Sequence, residues 1–90
     1  MSNVLRLALV DPDDTQRESM KSMLLGMDMI WLEAECSRYE FFADVVAQTN
    51  PDIGLVCIDE DPNKALDLVR QLGEASPNCS VLVVSSSSDG

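Results

Sequence analysis

The sequence contains no histidine, and this absence narrows the chemistry that it can perform. A cysteine nucleophile that relies on a histidine base is excluded, as are the zinc sites that combine cysteine with histidine. Cys36, Cys57 and Cys79 are widely spaced and odd in number, so they predict neither a disulfide framework nor a zinc site. We expect them to be small, buried, reduced side chains of a cytoplasmic protein.

Basic residues, glycine-rich segments and long apolar runs are also scarce. The chain has 6 basic and 16 acidic residues, and its net charge of -10 would repel nucleic acid and anionic lipid, so neither is an expected partner. The glycines are isolated and form no phosphate-binding loop. The first residues lack a signal-peptide pattern, and no apolar run approaches the roughly 20 residues that cross a bilayer, so we expect no membrane insertion.

Short apolar runs alternate with segments of helical periodicity along the chain. The 90 residues, 46% of them hydrophobic, can form one domain with a core, residues 1–90. Short connections with right-handed crossovers favour a parallel, doubly wound α/β sheet with helices on both faces. The predicted order is β-α-β-α-β-α-β, with strands at residues 4–10, 30–36, 53–58 and 80–84, helix starts at Thr15, Ser37 and Asp61, and helix ends near Gly26, Asn50 and Gly73.

Apolar side chains recur at helical spacing in each predicted helix and should face the core. We interpret the methionines of the first helix as core residues that fill gaps. In the second strand, alternation predicts a half-exposed edge strand with Ile30, Leu32, Ala34 and Cys36 on one face. The predicted core residues of the helices are Met20, Met23, Leu24 and Met27, then Phe41, Phe42, Val45 and Val46, then Ala65, Leu66, Val69 and Leu72.

Acidic residues follow two of the predicted strands. The first strand ends at Asp11-Pro12-Asp13-Asp14, and the apolar run 53–58 ends at Asp59-Glu60-Asp61. The carboxyl ends of parallel strands meet at one edge of the sheet, where ligands bind in open α/β folds. These acids are therefore either a loose set of oxygen ligands for a cation, or helix caps and solvated loop residues.

Three segments together resemble the receiver domain of bacterial response regulators. They are Leu9-Val10-Asp11-Pro12-Asp13-Asp14 with Arg17, Pro51-Asp52 before the third strand, and Val83-Val84-Ser85 at the end of the fourth. The resemblance spans the chain and implies a flavodoxin-like or CheY-like fold of five strands and five helices. The fifth strand and the last helices have no counterpart in this sequence, so we expect a segment of a longer protein.

The receiver resemblance implies a phosphoacceptor site that can be compared residue by residue. Receiver domains use an aspartate at the end of the third strand, together with two acids after the first strand that hold Mg²⁺. The family spacing from Pro51 places Cys57 at the phosphoacceptor position. Asp11 matches the first acid, and Pro12 stands where the direct metal ligand belongs. Ser85 matches the phosphate-sensing hydroxyl residue, whereas the family's lysine after the fifth strand has no counterpart.

The changes at Cys57 and at the metal ligand predict a degenerate receiver, which is a signalling and protein-interaction module, not an enzyme, and needs no cofactor. The alternative is a working receiver in which Asp59 accepts the phosphoryl group while Asp11 and Asp13 or Asp14 bind Mg²⁺. Asp59 would share a strand face with Cys57, but it lies two residues, roughly 6.6 Å, further along.

A narrower resemblance concerns the loop and helix after the third strand. Ile58-Asp59-Glu60-Asp61-Pro62 and Ala65-Leu66 are similar to the receiver-like amino-terminal domain of the Flp, or tight-adherence, pilus assembly ATPases. Those proteins carry a MinD-like ATPase domain after it, which implies a role in localisation and protein contact. The expected partners are a second copy, through the apolar fourth-strand edge at residues 81–84, or an ATPase or effector domain that follows.

Overall fold

The chain folds into seven alternating elements, which a computed structural model describes over residues 4–85. They are β1 (Leu5–Val10), α1 (Asp14–Leu25), β2 (Ile30–Cys36), α2 (Tyr39–Thr49), β3 (Ile53–Cys57), α3 (Pro62–Ala75) and β4 (Ser80–Val84). The four strands are parallel in the order β2-β1-β3-β4, which confirms the predicted α/β sheet. Across residues 4–85, no helix combines the length and the apolar character that a membrane span requires.

Each face of the sheet has helices packed on it and holds its own apolar cluster. α1 packs on one face, where Leu24 joins Leu7, Leu9 and Leu55. α2 and α3 pack on the other face. Side chains point to alternate sides along the central strands, so each face contributes its own set of strand residues to the cluster that it holds. The buried residues on this second face are Ala8, Val10, Tyr39, Phe42, Val46, Val56, Ala65, Leu68 and Leu72.

An irregularity in β2 shows that the predicted single apolar face of this strand is wrong. β2 is an edge strand, as expected, but Leu7 of β1 pairs with Leu32 while the next residue, Ala8, pairs with Ala34. Glu33 is the extra residue of a bulge, and a bulge of one residue turns the rest of the strand over. The first half of β2 therefore packs in the cluster under α1, and the second half packs under α2 and α3.

The helix starts agree only partly with the predicted capping patterns. Asp61 caps α3 as predicted, because its side chain accepts a hydrogen bond from the Lys64 N–H. α1 is instead capped by Asp13, two residues before Thr15. α2 begins after Arg38, whose side chain makes no capping hydrogen bond, so the predicted cap at Ser37 is wrong.

The predicted end of the third helix at Gly73 is also wrong, since α3 continues to Ala75. A glycine inside a helix is unfavourable by about 1 kcal/mol relative to alanine. The neighbouring Leu72 is fully buried against the sheet, and its packing holds the last turn in place. Tertiary packing of the last turn therefore outweighs the tendency of glycine to end a helix.

Several residues that the sequence placed in the core are exposed, because each helix buries a narrower stripe than its apolar pattern suggests. Met27 lies beyond the end of α1, where helical spacing no longer applies. In α3, Leu68 takes the buried position that was predicted for Leu66. The exposed residues are Met23, Met27, Phe41 and Leu66, while Cys36 and Cys79 are only half-buried.

Strand β4 forms the other edge of the sheet within residues 4–85. Leu82 is 52% exposed and Val83 is 46% exposed, so apolar side chains stand at the surface on both faces of this strand. An exposed apolar edge strand can pair with another chain. Of the apolar edge expected at residues 81–84, Leu82 and Val83 are therefore exposed, whereas Val81 and Val84 are half-buried.

Candidate functional site

The candidate site lies at the carboxyl edge of the sheet, where β1 and β3 end side by side. The two strands pair in register up to Val10 and Val56, so the next residues, Asp11 and Cys57, are neighbours. Both residues are only 1% exposed. Parallel pairing thus brings together two of the residues that the sequence singled out.

Asp11 is held in place by the loop and helix that follow β1. Its Oδ1 atom accepts a hydrogen bond from the Asp13 N–H at 3.0 Å, and its backbone carbonyl accepts one from Arg17 Nη1 at 2.8 Å. The second carboxylate oxygen, Oδ2, is buried without a hydrogen-bond partner among residues 4–85. The neighbouring Cys57 thiol interacts with the same carboxylate through its charge and through a side-chain hydrogen bond.

Cys57 is a protonated thiol in this environment. Burial first, and then the negative charge of Asp11, raise the pKa of the Cys57 thiol from its ordinary value of 9.0 to about 12. Its Sγ atom lies 3.7 Å from Sδ of Met20 on α1. A thiol with this pKa carries almost no thiolate at neutral pH and is therefore a poor nucleophile.

Tyr39 holds the end of β3 from the other face of the sheet. It is the first residue of α2, it is buried, and its hydroxyl donates a hydrogen bond to the Cys57 carbonyl. Burial raises the pKa of Tyr39 to about 12, so the hydroxyl remains a donor at neutral pH. Sequence reasoning missed this residue, since its only signal is a large aromatic side chain beside the predicted apolar stripe of α2.

The other acids of the two loops make local interactions. Asp13 caps α1, Asp61 caps α3, and Asp14 forms an ion pair with Arg17 at 2.7 Å. All three acids lie at helix starts, where the helix dipole favours negative charge. In the part of the chain that the structure describes, no three carboxylate or thiol side chains converge as ligands for a metal ion.

Asp59 and Ser85 lie together at the surface of the same edge. They follow β3 and β4, whose pairing is extended by a hydrogen bond from the Ile58 N–H to the Val84 carbonyl. Ser85 Oγ donates to Asp59 Oδ1 at 2.9 Å, and Gln16 Nε2 on α1 donates to Oδ2 at 3.3 Å. Ser85, which the receiver resemblance places at the phosphate-sensing position, therefore contacts Asp59. Gln16 was not predicted, because no motif marks it.

The donor set around Cys57 does not fit Mg²⁺. This ion prefers oxygen ligands in near-octahedral geometry, whereas Cys57 offers sulfur and Pro12 offers no side-chain donor. The Asp13 carboxylate already accepts a hydrogen bond from the Gln16 N–H at the start of α1. Around this thiol, within residues 4–85, no group of three carboxylate or thiol side chains is arranged to hold the ion.

Three solved structures with the same fold are receiver domains of response regulators. A LuxR-family two-component response regulator from Aurantimonas sp. SI85-9A1 superposes with a TM-score of 0.83 at 17% identity, over 93% of this chain and 60% of that one. The isolated REC domain of RcsB from Salmonella enterica serovar Typhimurium, solved with the phosphomimetic BeF3-, gives 0.83 at 9% identity, over 97% and 65%. The response regulator domain of Thermotoga maritima CheB gives 0.75 at 22% identity, over 92% and 61%.

These similarities concern the fold. No protein-family model matches the sequence, and no curated protein matches it either. The chain spans 60% to 65% of the length of the three solved structures. The structure therefore has the architecture of a response-regulator receiver domain. These matches describe the fold and not the chemistry of the residues at the candidate site.

Proposed function

We propose that this chain is a degenerate receiver domain, which acts in signalling by contacting other proteins and not by chemistry. The fold that it shares with response-regulator receivers supports a signalling module. The observation that carries the proposal is the buried thiol of Cys57 beside Asp11, at the position where the receiver resemblance implies an aspartate.

Phosphoryl transfer to a receiver domain needs two things that this edge lacks. The first is a carboxylate nucleophile at the end of β3, where Cys57 instead keeps its proton because its pKa is about 12. The second is a metal ion that neutralises the phosphoryl charge, and among residues 4–85 no three carboxylate or thiol side chains converge to hold it. A domain with this site would keep the receiver surfaces without the phosphorylation step.

Asp59 is the alternative phosphoacceptor, with Asp11 and Asp13 as ligands for Mg²⁺. One observation favours it, because Asp59 is exposed and in contact with the Ser85 hydroxyl. Against it, β3 ends at Cys57, so Asp59 belongs to the following loop. The alternative would therefore require the loop to move toward Asp11.

The biological setting is a narrower part of the proposal. Residues 58–62 and the Ala65-Leu66 pair support a place in pilus assembly or in protein localisation, with an ATPase or another effector domain as partner. The exposed side chains of Leu82 and Val83 support contact with such a domain or with a second copy through β4.

Incubation with acetyl phosphate and Mg²⁺, and separately with beryllofluoride and Mg²⁺, tests the proposal. We expect no added phosphoryl mass on the intact protein and no saturable shift of the amide NMR signals of Asp11, Cys57 and Asp59. An active receiver domain treated in parallel shows that the reagents work. The Asp59→Asn variant is the matched control, because asparagine keeps the shape of the side chain but cannot form an acyl phosphate.

A Mg²⁺-dependent adduct that disappears in Asp59→Asn would establish the alternative and reject the degenerate receiver. An adduct that persists in that variant would reject both candidates, because another residue would then be the acceptor.

A further inference from the structure

A cleft lies at the amino end of the sheet, opposite the candidate site. Its volume is about 410 Å³, and its walls are formed by the ends of α2 and α3 and by the segments that precede β3 and β4. Ligand pockets range upward from about 300 Å³, so this cleft has room for one large side chain. Neither the receiver resemblance nor the proposed function gives it a role.

The charge of the cleft is negative. Asp52 lies on its wall, exposed to solvent, and uses Oδ2 to accept a hydrogen bond from the Arg6 N–H at 2.8 Å. Among the described residues that line the cleft, none is lysine or arginine. A positively charged group that entered would meet the Asp52 carboxylate, and the Arg6 guanidinium, which binds the Asn50 carbonyl at the cleft wall, is itself paired with Glu33.

The two helices that end at the cleft differ in how their negative poles are neutralised. The last carbonyls of a helix lack intrahelical partners and carry partial negative charge. At the end of α2, the Arg6 guanidinium donates to the carbonyls of Thr49 and Asn50 and pairs with Glu33. The last turn of α3 contains no basic residue and instead carries Glu74, so its pole is not neutralised in the same way.

We propose that this cleft binds the side chain of an arginine from a partner protein. A guanidinium group has five N–H donors in a planar fork, so it suits a cleft whose wall offers both a carboxylate, from Asp52, and the end of a helix, from α3. Arg6 makes this combination at α2, where it binds two carbonyls and one carboxylate. The net charge of -10 also favours the approach of a basic partner.

The test is an NMR titration of the labelled protein with an N-acetylated Gly-Arg-Gly amide peptide, whose only charge is the guanidinium group. The matched ligand is the same peptide with citrulline, which has nearly the shape of arginine but no charge. We expect saturable shifts of the backbone amides of Asp52 and residues 75–79 with the arginine peptide alone. The result does not depend on whether the opposite edge accepts a phosphoryl group.

Two variants separate the cleft from the overall charge of the protein. Asp52→Asn keeps an oxygen for the Arg6 N–H but removes the charge, and it should weaken binding about two- to fivefold. Asp28→Asn makes the same charge change at an exposed position on the α1–β2 turn, outside the cleft, and should leave the affinity unchanged.

Equal shifts with the citrulline peptide would overturn the proposal, because uptake would then not require a cation. The same holds for an equal loss of affinity in both variants, which would indicate attraction by net charge. The absence of saturable shifts at the cleft amides would also overturn it.

Discussion

Replacement of Cys57 by alanine should change how the stability of the protein depends on pH. Burial and the Asp11 charge raise the pKa of this thiol from 9.0 to about 12 in the folded chain. Below pH 9 the thiol is protonated in both the folded and the unfolded state, so its contribution to stability is complete. Above that pH the unfolded chain loses the proton first, and the free energy of unfolding of the wild type falls until the folded thiol also ionises.

The size of this fall follows from the difference between the two pKa values. Each pKa unit corresponds to about 1.4 kcal/mol, so the thiol should reduce the free energy of unfolding by about 2–3 kcal/mol near pH 11. At pH 7 the alanine variant should be less stable by about 1–2 kcal/mol, because it leaves a small void in the cluster around Leu9 and Leu24. The two stability curves should therefore cross at about pH 10.

Urea unfolding followed by circular dichroism from pH 7 to pH 11 measures both curves. Groups far from Cys57 that titrate in both proteins cancel in the difference, whereas Tyr39 is coupled to the Cys57 charge, so the Tyr39→Phe background is measured in parallel. The Cys57→Val variant is the control for the void, and it should show the same pH dependence with a smaller loss at pH 7. A difference between wild type and Cys57→Ala that stays constant up to pH 11 would refute the reasoning, because the folded thiol would then titrate like the unfolded one.

Two further predictions concern residues whose roles only the structure revealed. Tyr39→Phe removes the buried hydrogen bond to the Cys57 carbonyl and should lower the free energy of unfolding by about 1–3 kcal/mol, measured in urea at pH 7. No measurable loss would show that this bond does not hold the end of β3. Asn50 ends α2 in the left-handed conformation, with φ 49°, so Asn50→Gly should raise the melting temperature slightly or leave it unchanged, whereas Asn50→Ala should destabilise by about 1 kcal/mol. The reverse order of melting temperatures would contradict the role of φ at this position.

The order and type of the elements were predictable because their signals are local. The apolar run that became β3 and the Asp61-Pro62 pair that starts α3 depend on neighbouring residues alone. The competing caps show the limit of such signals, since Thr15 matched the pattern but Asp13 accepted the hydrogen bond. A local motif therefore predicts that a helix begins nearby, and the geometry of the loop decides at which residue.

The buried face of each element was less predictable, because it depends on where the sheet lies. Glu33 has no sequence feature that marks a bulge, yet it sends the two halves of β2 to opposite clusters. Leu66 and Leu68 are both apolar residues of α3, and only the position of the sheet selects Leu68. Burial is a property of the assembled layers, so spacing along one helix defines it only approximately.

The geometry of the candidate site was also predictable only in part. That Asp11 and Cys57 would lie near each other follows from parallel topology, because the carboxyl ends of neighbouring strands share one edge. The contacts of Tyr39 and Gln16 with this edge do not follow from any motif. They join residues that are 18 and 43 positions apart, and only the packing of α1 and α2 on the sheet creates them.

By itself, the sequence determined the strongly acidic character, the absence of histidine chemistry, the alternating α/β order and the presence of a thiol where the receiver resemblance implies a carboxylate. These properties depend on composition and on spacing along the chain. Only the tertiary structure decided that the Cys57 thiol is held protonated, that Ser85 contacts Asp59, and that two helix ends and Asp52 enclose a cleft. Charge interactions and desolvation depend on distances in space, and those distances exist only after the elements have packed together.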